Sequence, residues 1–286
     1  MELSVVIVSY NVNDFLRRAL QTIIAAAGDT EHEIIVVDNN SSDGSPGMVR
    51  NEFPAVRLII SDHNEGFSAA CNRGIEASAG DYILILNPDT ETAPDAIEKA
   101  LGFMRTHPEA GAAGARMTDG RGRFLPESKR GFPSPLTSLF RFTGFGKIFP
   151  RSAFFNAYYL GNRPENETCQ ADILTGAFML IRREALDRAG LFDTDFFMYG
   201  EDIDLSWRIR KAGYVNYYLH DVRITHFKGI SSASEREAAV RHFWDAMVIF
   251  SGKHLERGWH LPVKIGVTIL KWLSLTRLSA ARHIKK

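Results

Sequence analysis

Three polar clusters in this chain could do chemistry. The first is Asn87-Pro88-Asp89, which follows the unbroken apolar run Tyr82 to Leu86. A run that short with no alternation suits a strand covered on both faces. Pro88 ends it, because proline cannot donate to a sheet ladder and holds its predecessor extended. Asp89 is therefore expected just past the carboxyl edge of the sheet, where open α/β sheets bind ligands. A carboxylate there, beside Asn87, suits a divalent cation that carries phosphate oxygens; it equally suits a helix cap or a turn. The second cluster, Tyr199-Gly200-Glu201-Asp202-Ile203-Asp204, crowds three carboxylates into the first turn of a helix running to about Ala212. The helix dipole favours negative charge there, so one or two are explained as caps. Three exceed that need, and an acid held between charged neighbours and a substrate can serve as a general base. In the third, Thr225-His226-Phe227-Lys228-Gly229, an imidazole ends a strand before a glycine turn. A lone histidine is usually structural, but this one ends a strand as Asp89 does, which also fits a shared metal or diphosphate.

The elements that must position these groups alternate along the first half. Leu3 to Val8, Glu33 to Val37, Val56 to Ile60 and Tyr82 to Leu86 read as short strands. Apolar residues from Phe15 to Ile24 recur at helical spacing behind Asn13 or Asp14 as N-cap, and Phe67 to Ala79 forms a helix that Gly80 breaks. The alternation argues a mostly parallel sheet with right-handed crossovers. Ser9-Tyr10-Asn11, Asp38 to Ser45, Ser61 to Asn64 and Asn87 to Asp89 all fall at carboxyl ends of strands, so four loops converge on one rim. Beyond it, Asp95 to Thr106 reads as a helix and Ala110 to Met117 as a strand. Arg116 to Pro135 is a basic loop fit for a lid or for a solvated excursion, and Gly144 to Thr168 is irregular and aromatic. Gly176 lies within the apolar run Ile173 to Arg182, where a glycine in a strand permits close backbone approach.

With 286 residues and 45% hydrophobic content the chain can bury a large core. Lys+Arg and Asp+Glu both count 34, which gives no basic bias toward nucleic acid. Cys71 and Cys169 have no metal-ligand spacing and fit a reducing compartment; no signal peptide or membrane-spanning run stands out, so a cytoplasmic address is expected.

The segments Ser4 to Asn11, Val37 to Ser45, Asn64-Glu65-Gly66-Phe67, Asn72-Arg73-Gly74-Ile75, Asn87-Pro88-Asp89 and Gly200 to Leu205 together resemble the inverting family 2 glycosyltransferases of GT-A fold, most of all bacterial rhamnosyltransferases. The likeness spans roughly residues 3 to 231, in the family's order. It implies an α/β fold with a mixed, mostly parallel sheet flanked by helices: a glycosyltransferase domain over 1–231 and a helical extension over 232–286. It implies that Asp38 contacts the base and ribose of a nucleotide-diphosphate sugar, with Ser9, Tyr10, Asn11, Asn40, Asn64, Asn72 and Asn87 on the donor side. Asp89 matches the last acid of the family's DxD motif and, with His226 of an HxxGxS segment, implies Mg²⁺ or Mn²⁺ on the diphosphate. Asn87 stands where that motif usually has its first acid, which leaves one fewer charge. Asp202 matches the catalytic base; Gly176, Tyr199 and Glu201 fall on the acceptor side. The QxxRW motif of processive synthases is missing, which suits single additions. The expected donor is dTDP-rhamnose or another UDP- or GDP-sugar, and the acceptor a polysaccharide or lipid-linked glycan. A nucleotidyltransferase would carry a Gly-rich phosphate loop where Ser9-Tyr10-Asn11 stands, and a silent sugar-nucleotide-binding protein would have lost Asp89 or Asp202.

The tail lies outside the resemblance. Val240, Phe243, Trp244, Met247 and Val248 predict a packed helix over about Glu235 to Ser251. Pro262 suits the first position of another, Val263 to Arg282, and no acid remains after Glu256. Lys264, Lys271 and Arg282 share one side of it, with Trp272 and leucines over much of the rest. Such a helix at 263–286 suits peripheral contact with an anionic membrane, and packing on the catalytic domain or in a homodimer fits as well.

Overall fold

The computed structural model describes residues 1–227, 236–255 and 257–284. Its central strand, β1 (Leu3–Ser9), is buried at every position. It pairs in parallel with β2 (His32–Asp38) and β4 (Tyr82–Leu86), and β2 pairs in parallel with β3 (Arg57–Ile60). Further along come β5 (Thr90–Thr92), β6 (Ala110–Thr118), β7 (Cys169–Gln170), β8 (Phe178–Arg182) and β9 (Val215–His226). The sheet order is β3-β2-β1-β4-β8-β6-β9-β5, with β7 against β9. Only β8, β5 and β7 run antiparallel to their neighbours, so the sheet is mixed and mostly parallel.

The two-residue period of a strand sends alternate side chains of β1 to opposite faces. Val5 and Ile7 pack with Leu16, Leu20 and Ile23 of the Asn13–Ala27 helix and with Leu101 and Met104 of the Ala96–Thr106 helix. Val6 and Val8 pack with Ala70 and Ile75 of the Phe67–Glu76 helix and with Leu205 and Ile209 of the Glu201–Lys211 helix. Both faces being covered accounts for the continuous apolar runs.

Several local features differ from the sequence reading. A helix at Ser45–Glu52 joins β2 to β3; Gly47 and few apolar residues hide it from periodicity. Neither Asn13 nor Asp14 caps the first helix through its side chain. Instead Asp43, from the next crossover, accepts the Asn13 N–H at 2.8 Å and supplies the missing partner. Gly176 precedes β8 rather than lying inside a strand, and a Cβ there would meet the Phe67 ring at an ordinary 3.5 Å. The helices of the tail are Arg236–His254 and Arg257–Ile284. The second starts more than a turn before Pro262, which therefore sits inside it rather than at its first position. The boundary at 231/232 and the Lys228 to Ser231 part of the HxxGxS segment lie outside the described residues.

Candidate active site

Parallel register brings the carboxyl ends of the central strands level. Ser9 of β1 stands opposite Asp38 of β2, and Ile7 opposite Leu86 at the end of β4. Ser9 and Asp38 are fully buried. One Asp38 oxygen, Oδ2, accepts the Ser41 N–H at 2.8 Å, while Oδ1 and the Ser9 hydroxyl have no hydrogen-bond partner among the described residues. Buried polar atoms of native proteins are ordinarily satisfied, so this pair marks a place for a ligand's donors and acceptors. The loops around it are held in left-handed turns at Asn11 (φ 52°) and Asn40 (φ 66°), a conformation asparagine tolerates. Asn11 accepts the Ser42 N–H at 2.8 Å and donates its own N–H to the Ser41 hydroxyl at 2.9 Å, which knits the first two rim loops together.

Asp89 meets His226 because β5 pairs antiparallel with the end of β9, setting Thr90 opposite His226. The Phe227 N–H donates to the Asp89 carbonyl at 2.9 Å, which holds the two chain segments together. The His226 Nε2 lies 3.2 Å from Asp89 Oδ1, and both side chains are largely buried. That contact is not aligned as a hydrogen bond, and His226 Nδ1, on the other side of the ring, has no hydrogen-bond partner among the described residues. A carboxylate and an imidazole side by side at one sheet edge are a donor set that could hold a divalent cation. No group of three His, Cys, Asp or Glu side chains able to hold an ion occurs among the described residues, so further oxygens would come from phosphate and water.

The acidic helix starts from two consecutive left-handed residues, Tyr199 (φ 72°) and Gly200 (φ 85°). Its three carboxylates divide the labour. Asp204 is structural: it accepts from Arg208 Nε at 2.7 Å and lies 2.6 Å from His254 Nε2 of the Arg236–His254 helix. Burial works against its charge, yet the hydrogen bond from His254 and the Arg208 guanidinium hold it below the usual carboxylate range. Asp202 accepts from Arg130 Nη2 through Oδ2 at 2.6 Å, and Oδ1 accepts the Ile203 N–H at 2.8 Å. Glu201 is buried with Oε2 lacking a partner among the described residues; burial, then the neighbouring Asp202 charge, pushes it up to about 8. Both influences favour the protonated acid, which can donate as well as accept.

Residues 4–190 match the family model described as Glycosyl transferase family 2. The chain belongs to that family. It is 29% identical over 293 residues to the N-acetylglucosaminyl-diphospho-decaprenol L-rhamnosyltransferase of Mycobacterium tuberculosis, covering 99% of this chain and 92% of that protein. Its fold is that of a mannosyltransferase from Pyrobaculum calidifontis solved with GDP-Man and Mn²⁺, with a TM-score of 0.59 at 19% identity over 99% of this chain and 79% of that one. Staphylococcus aureus TarS 1–349 in complex with UDP-GlcNAc matches with a TM-score of 0.57 at 17% identity, covering 94% and 72%. The protein is a GT-A glycosyltransferase that takes its sugar from a nucleotide sugar.

Within this family 2 enzyme the remaining expected site residues serve in different ways. Asn64 accepts the Gly66 N–H at 3.0 Å and closes an Asx turn. Asn72 is engaged at both ends of its amide, donating to the Phe192 carbonyl at 2.8 Å and accepting the Phe192 N–H at 2.9 Å. It braces the loop that leads to the acidic helix, where a donor contact was expected. Asn87 sits half-buried at the edge, its N–H on the Ala177 carbonyl at 3.2 Å and its own carbonyl on the Thr90 hydroxyl at 2.7 Å. Tyr10 is half-buried beside Ser9. The Tyr199 ring packs edge-on to Phe243 with centroids 6.2 Å apart, so it joins the site to the tail.

Two residues that the sequence did not single out belong here. Asn39 is buried and donates to the Gly66 carbonyl at 3.0 Å, tying the donor loop to the third rim loop. Arg130 is the larger omission. Its Nη2 also donates to the Leu174 carbonyl at 2.6 Å, and its Nε has no partner among the described residues. Burial, the largest influence, disfavours the cation, but Asp202 and Tyr158 outweigh it and raise its pKa further. The basic character of Arg116 to Pro135 was the available signal, and it did not mark which arginine turns inward.

Proposed function

We propose that this enzyme is a metal-dependent inverting transferase that moves rhamnose or a similar sugar from a nucleotide diphosphate, dTDP-rhamnose first, onto a lipid-linked glycan. The observation that carries the reading is the set of buried polar groups without a hydrogen bond along one sheet edge: Ser9 Oγ and Asp38 Oδ1 at one end, and at the other the Asp89 carboxylate, 3.2 Å from His226 Nε2, with His226 Nδ1 unbonded among the described residues. A nucleotide would sit at the first pair and its diphosphate at the second. Asp89 and His226 would hold Mg²⁺ or Mn²⁺, which when bound supplies charge neutralisation for the diphosphate. Asp202 takes the proton from the acceptor hydroxyl as that oxygen attacks the anomeric carbon from the face opposite the nucleotide, inverting its configuration. Burial and the Asp202 charge raise the pKa of Glu201 beside it, which disfavours a second negative charge near the attacking oxygen. The rhamnose and the lipid-linked acceptor are supported by the printed activity of the mycobacterial relative, which matches nearly the whole chain. Both Asp89 and Asp202 are in place, which disfavours a silent binding protein.

Peripheral residence at a membrane fits such an acceptor. Among the described residues no helix is long and apolar enough to cross one. The Arg257–Ile284 helix has no acid in its first turn or anywhere along its sequence, and it exposes Trp259, Leu261 and Trp272. The catalytic unit in this reading runs on through His254, because that helix closes over Asp204.

A thermal-shift panel of dTDP-, UDP- and GDP-sugars with Mn²⁺ or EDTA tests the reading, since a ligand of the folded state must stabilise it. One donor should raise the melting temperature, with Mn²⁺ enlarging the shift. No shift from any donor would remove the donor site.

A further inference from the structure

Two separate stretches of this chain are free of acids and expose large apolar side chains. One is the excursion between Glu127 and Glu165, which contains the helix Pro135–Thr143 and the turn Phe145–Ile148. Its rings form a small cluster of their own: Phe155 lies 5.0 Å from both Phe140 and Phe149. That cluster does not cover its outer side, where Ile148 is 67% exposed, Phe154 58% and Leu139 54%. Lys147 and Arg151 stand exposed beside them. The other stretch is the Arg257–Ile284 helix. Val267 is buried and Lys271 pairs with Asp245 at 2.6 Å, which fixes the side packed on the Arg236–His254 helix. At 100° per residue, Ile265, Ile269 and Trp272 fall on the far side from it, with Leu261 at their margin, and all four are more than half exposed. Lys264 and Arg277 are exposed on its flanks.

The two stretches rise from one corner of the molecule. Phe132, at the root of the excursion, lies 5.5 Å from Phe250, and Ser251 lies 3.2 Å from His260 Nδ1 at the start of the last helix. We propose that the outer side of the excursion and the outward stripe of the Arg257–Ile284 helix dock together on an anionic lipid bilayer. This deepens the membrane reading above and rests on it. Apolar side chains among bases, with no acid in either stretch, complement a surface that is apolar below and negative above. A second copy of the chain fits less well. Bringing the same face of two molecules together would set Lys264 and Arg277 against Lys147 and Arg151, or against themselves, with no acid to pair them. Arg130, which holds Asp202, is two residues from Phe132, so the excursion is joined at its root to the acidic helix.

The test is co-sedimentation of the full chain with vesicles of phosphatidylglycerol and phosphatidylcholine, and with phosphatidylcholine alone. The intact protein should sediment with the anionic vesicles only, less as salt rises. Leu139→Glu with Ile148→Glu, and separately Ile269→Glu with Trp272→Glu, should each lower the bound fraction several-fold without lowering the melting temperature, since all four positions are exposed. An excursion variant that sediments like the intact protein overturns the proposal while leaving the helix contact standing. Intact protein that ignores anionic vesicles overturns both. A lipid-free dimer that Ile148→Glu converts to monomer would make the surface a self-interface and also overturns it. As a measurement independent of those variants, Ile148→Cys in a Cys169→Ser background, labelled with an environment-sensitive dye, should shift its emission to the blue on anionic vesicles; an unmoved spectrum counts against the proposal. Sugar transfer enters none of these readings, so their failure is separable from failure of the proposed activity.

Discussion

The Arg130–Asp202 pair sets what a base can do in this site. A buried carboxylate that loses its cation is left uncompensated, which typically costs about 3–5 kcal/mol. Arg130→Met should therefore lower stability by that order. Arg130→Lys should keep the protein folded, but its ammonium, on a shorter stem, should not reach the position from which Nη2 donates to both Asp202 and the Leu174 carbonyl. In a folded Arg130→Lys enzyme we expect turnover to fall on the order of 100-fold, as when a preorganised charge contact is removed, while nucleotide affinity at Asp38 is kept. Equal losses in both would make Arg130 a general scaffold residue. Asp38→Ala should instead weaken nucleotide binding by about 1.5–3 kcal/mol, the range for a hydrogen bond to a charged group, measured by calorimetry. Glu201 carries a pH signature. Its folded value of about 8 lies above the ordinary 4.5, so the folded protein keeps a proton that the unfolded chain has lost between those limits. The stability this confers is complete below the ordinary value and disappears as pH rises through the folded one. Glu201→Gln should flatten that decline in melting temperature; an unchanged slope would mean that Glu201 is ionised in the folded state.

At the scale of elements, the acidic helix is positioned by contacts made far from it in sequence. The Phe67 N–H donates to the Phe197 carbonyl at 2.7 Å and the Ser68 hydroxyl to the Phe196 carbonyl at 2.6 Å, so the start of one helix clamps the loop before the other. A Cβ on Gly66 (φ +85°) would come within 2.6 Å of the Phe197 oxygen. Gly66→Ala should accordingly lose stability by more than about 1 kcal/mol and lower turnover with it; a variant matching the parent in denaturant unfolding and in rate would show that the loop adjusts without cost. The tail helix closes the other side. His254→Ala leaves one partner fewer on buried Asp204 and should cost about 1–3 kcal/mol in the same measurement.

These contacts also explain what the sequence could and could not reveal. Asp38 and Asp89 were legible because each follows an unbroken apolar run, Asp38 as the last residue of β2 and Asp89 three residues past the end of β4, both local signals. So was the acidic first turn after Gly200. The meeting of Asp89 with His226 was half legible: His226 ends a strand and Asp89 follows one, but only the antiparallel β5–β9 pairing, with a three-residue strand no periodicity could mark, sets them side by side. Arg130 was not legible, since its partner lies 72 residues away and nothing local turns its guanidinium inward. The same holds for Asn72, whose polar side chain reads as a donor contact but completes the backbone of Phe192, 120 residues on.

Across the whole molecule, the sheet edge, the acidic helix and the two acid-free apolar stretches are joined in the proposed reading: a nucleotide sugar would bind at the edge, Asp202 held by the buried Arg130 would act as base, and the acceptor would arrive from a lipid surface. The proposed metal dependence is a property of the whole fold, because Asp89 and His226 lie far apart in sequence and meet only through the β5–β9 pairing. Its most direct test is the release of free nucleotide from dTDP-rhamnose in the presence of a lipid-linked N-acetylglucosaminyl diphosphate, with Mg²⁺ and with EDTA, for the intact enzyme and Asp202→Asn. The account predicts metal-dependent release by the intact enzyme and a collapse of release in Asp202→Asn, which still binds the nucleotide. Undiminished release by Asp202→Asn, or by the intact enzyme in EDTA, would contradict it.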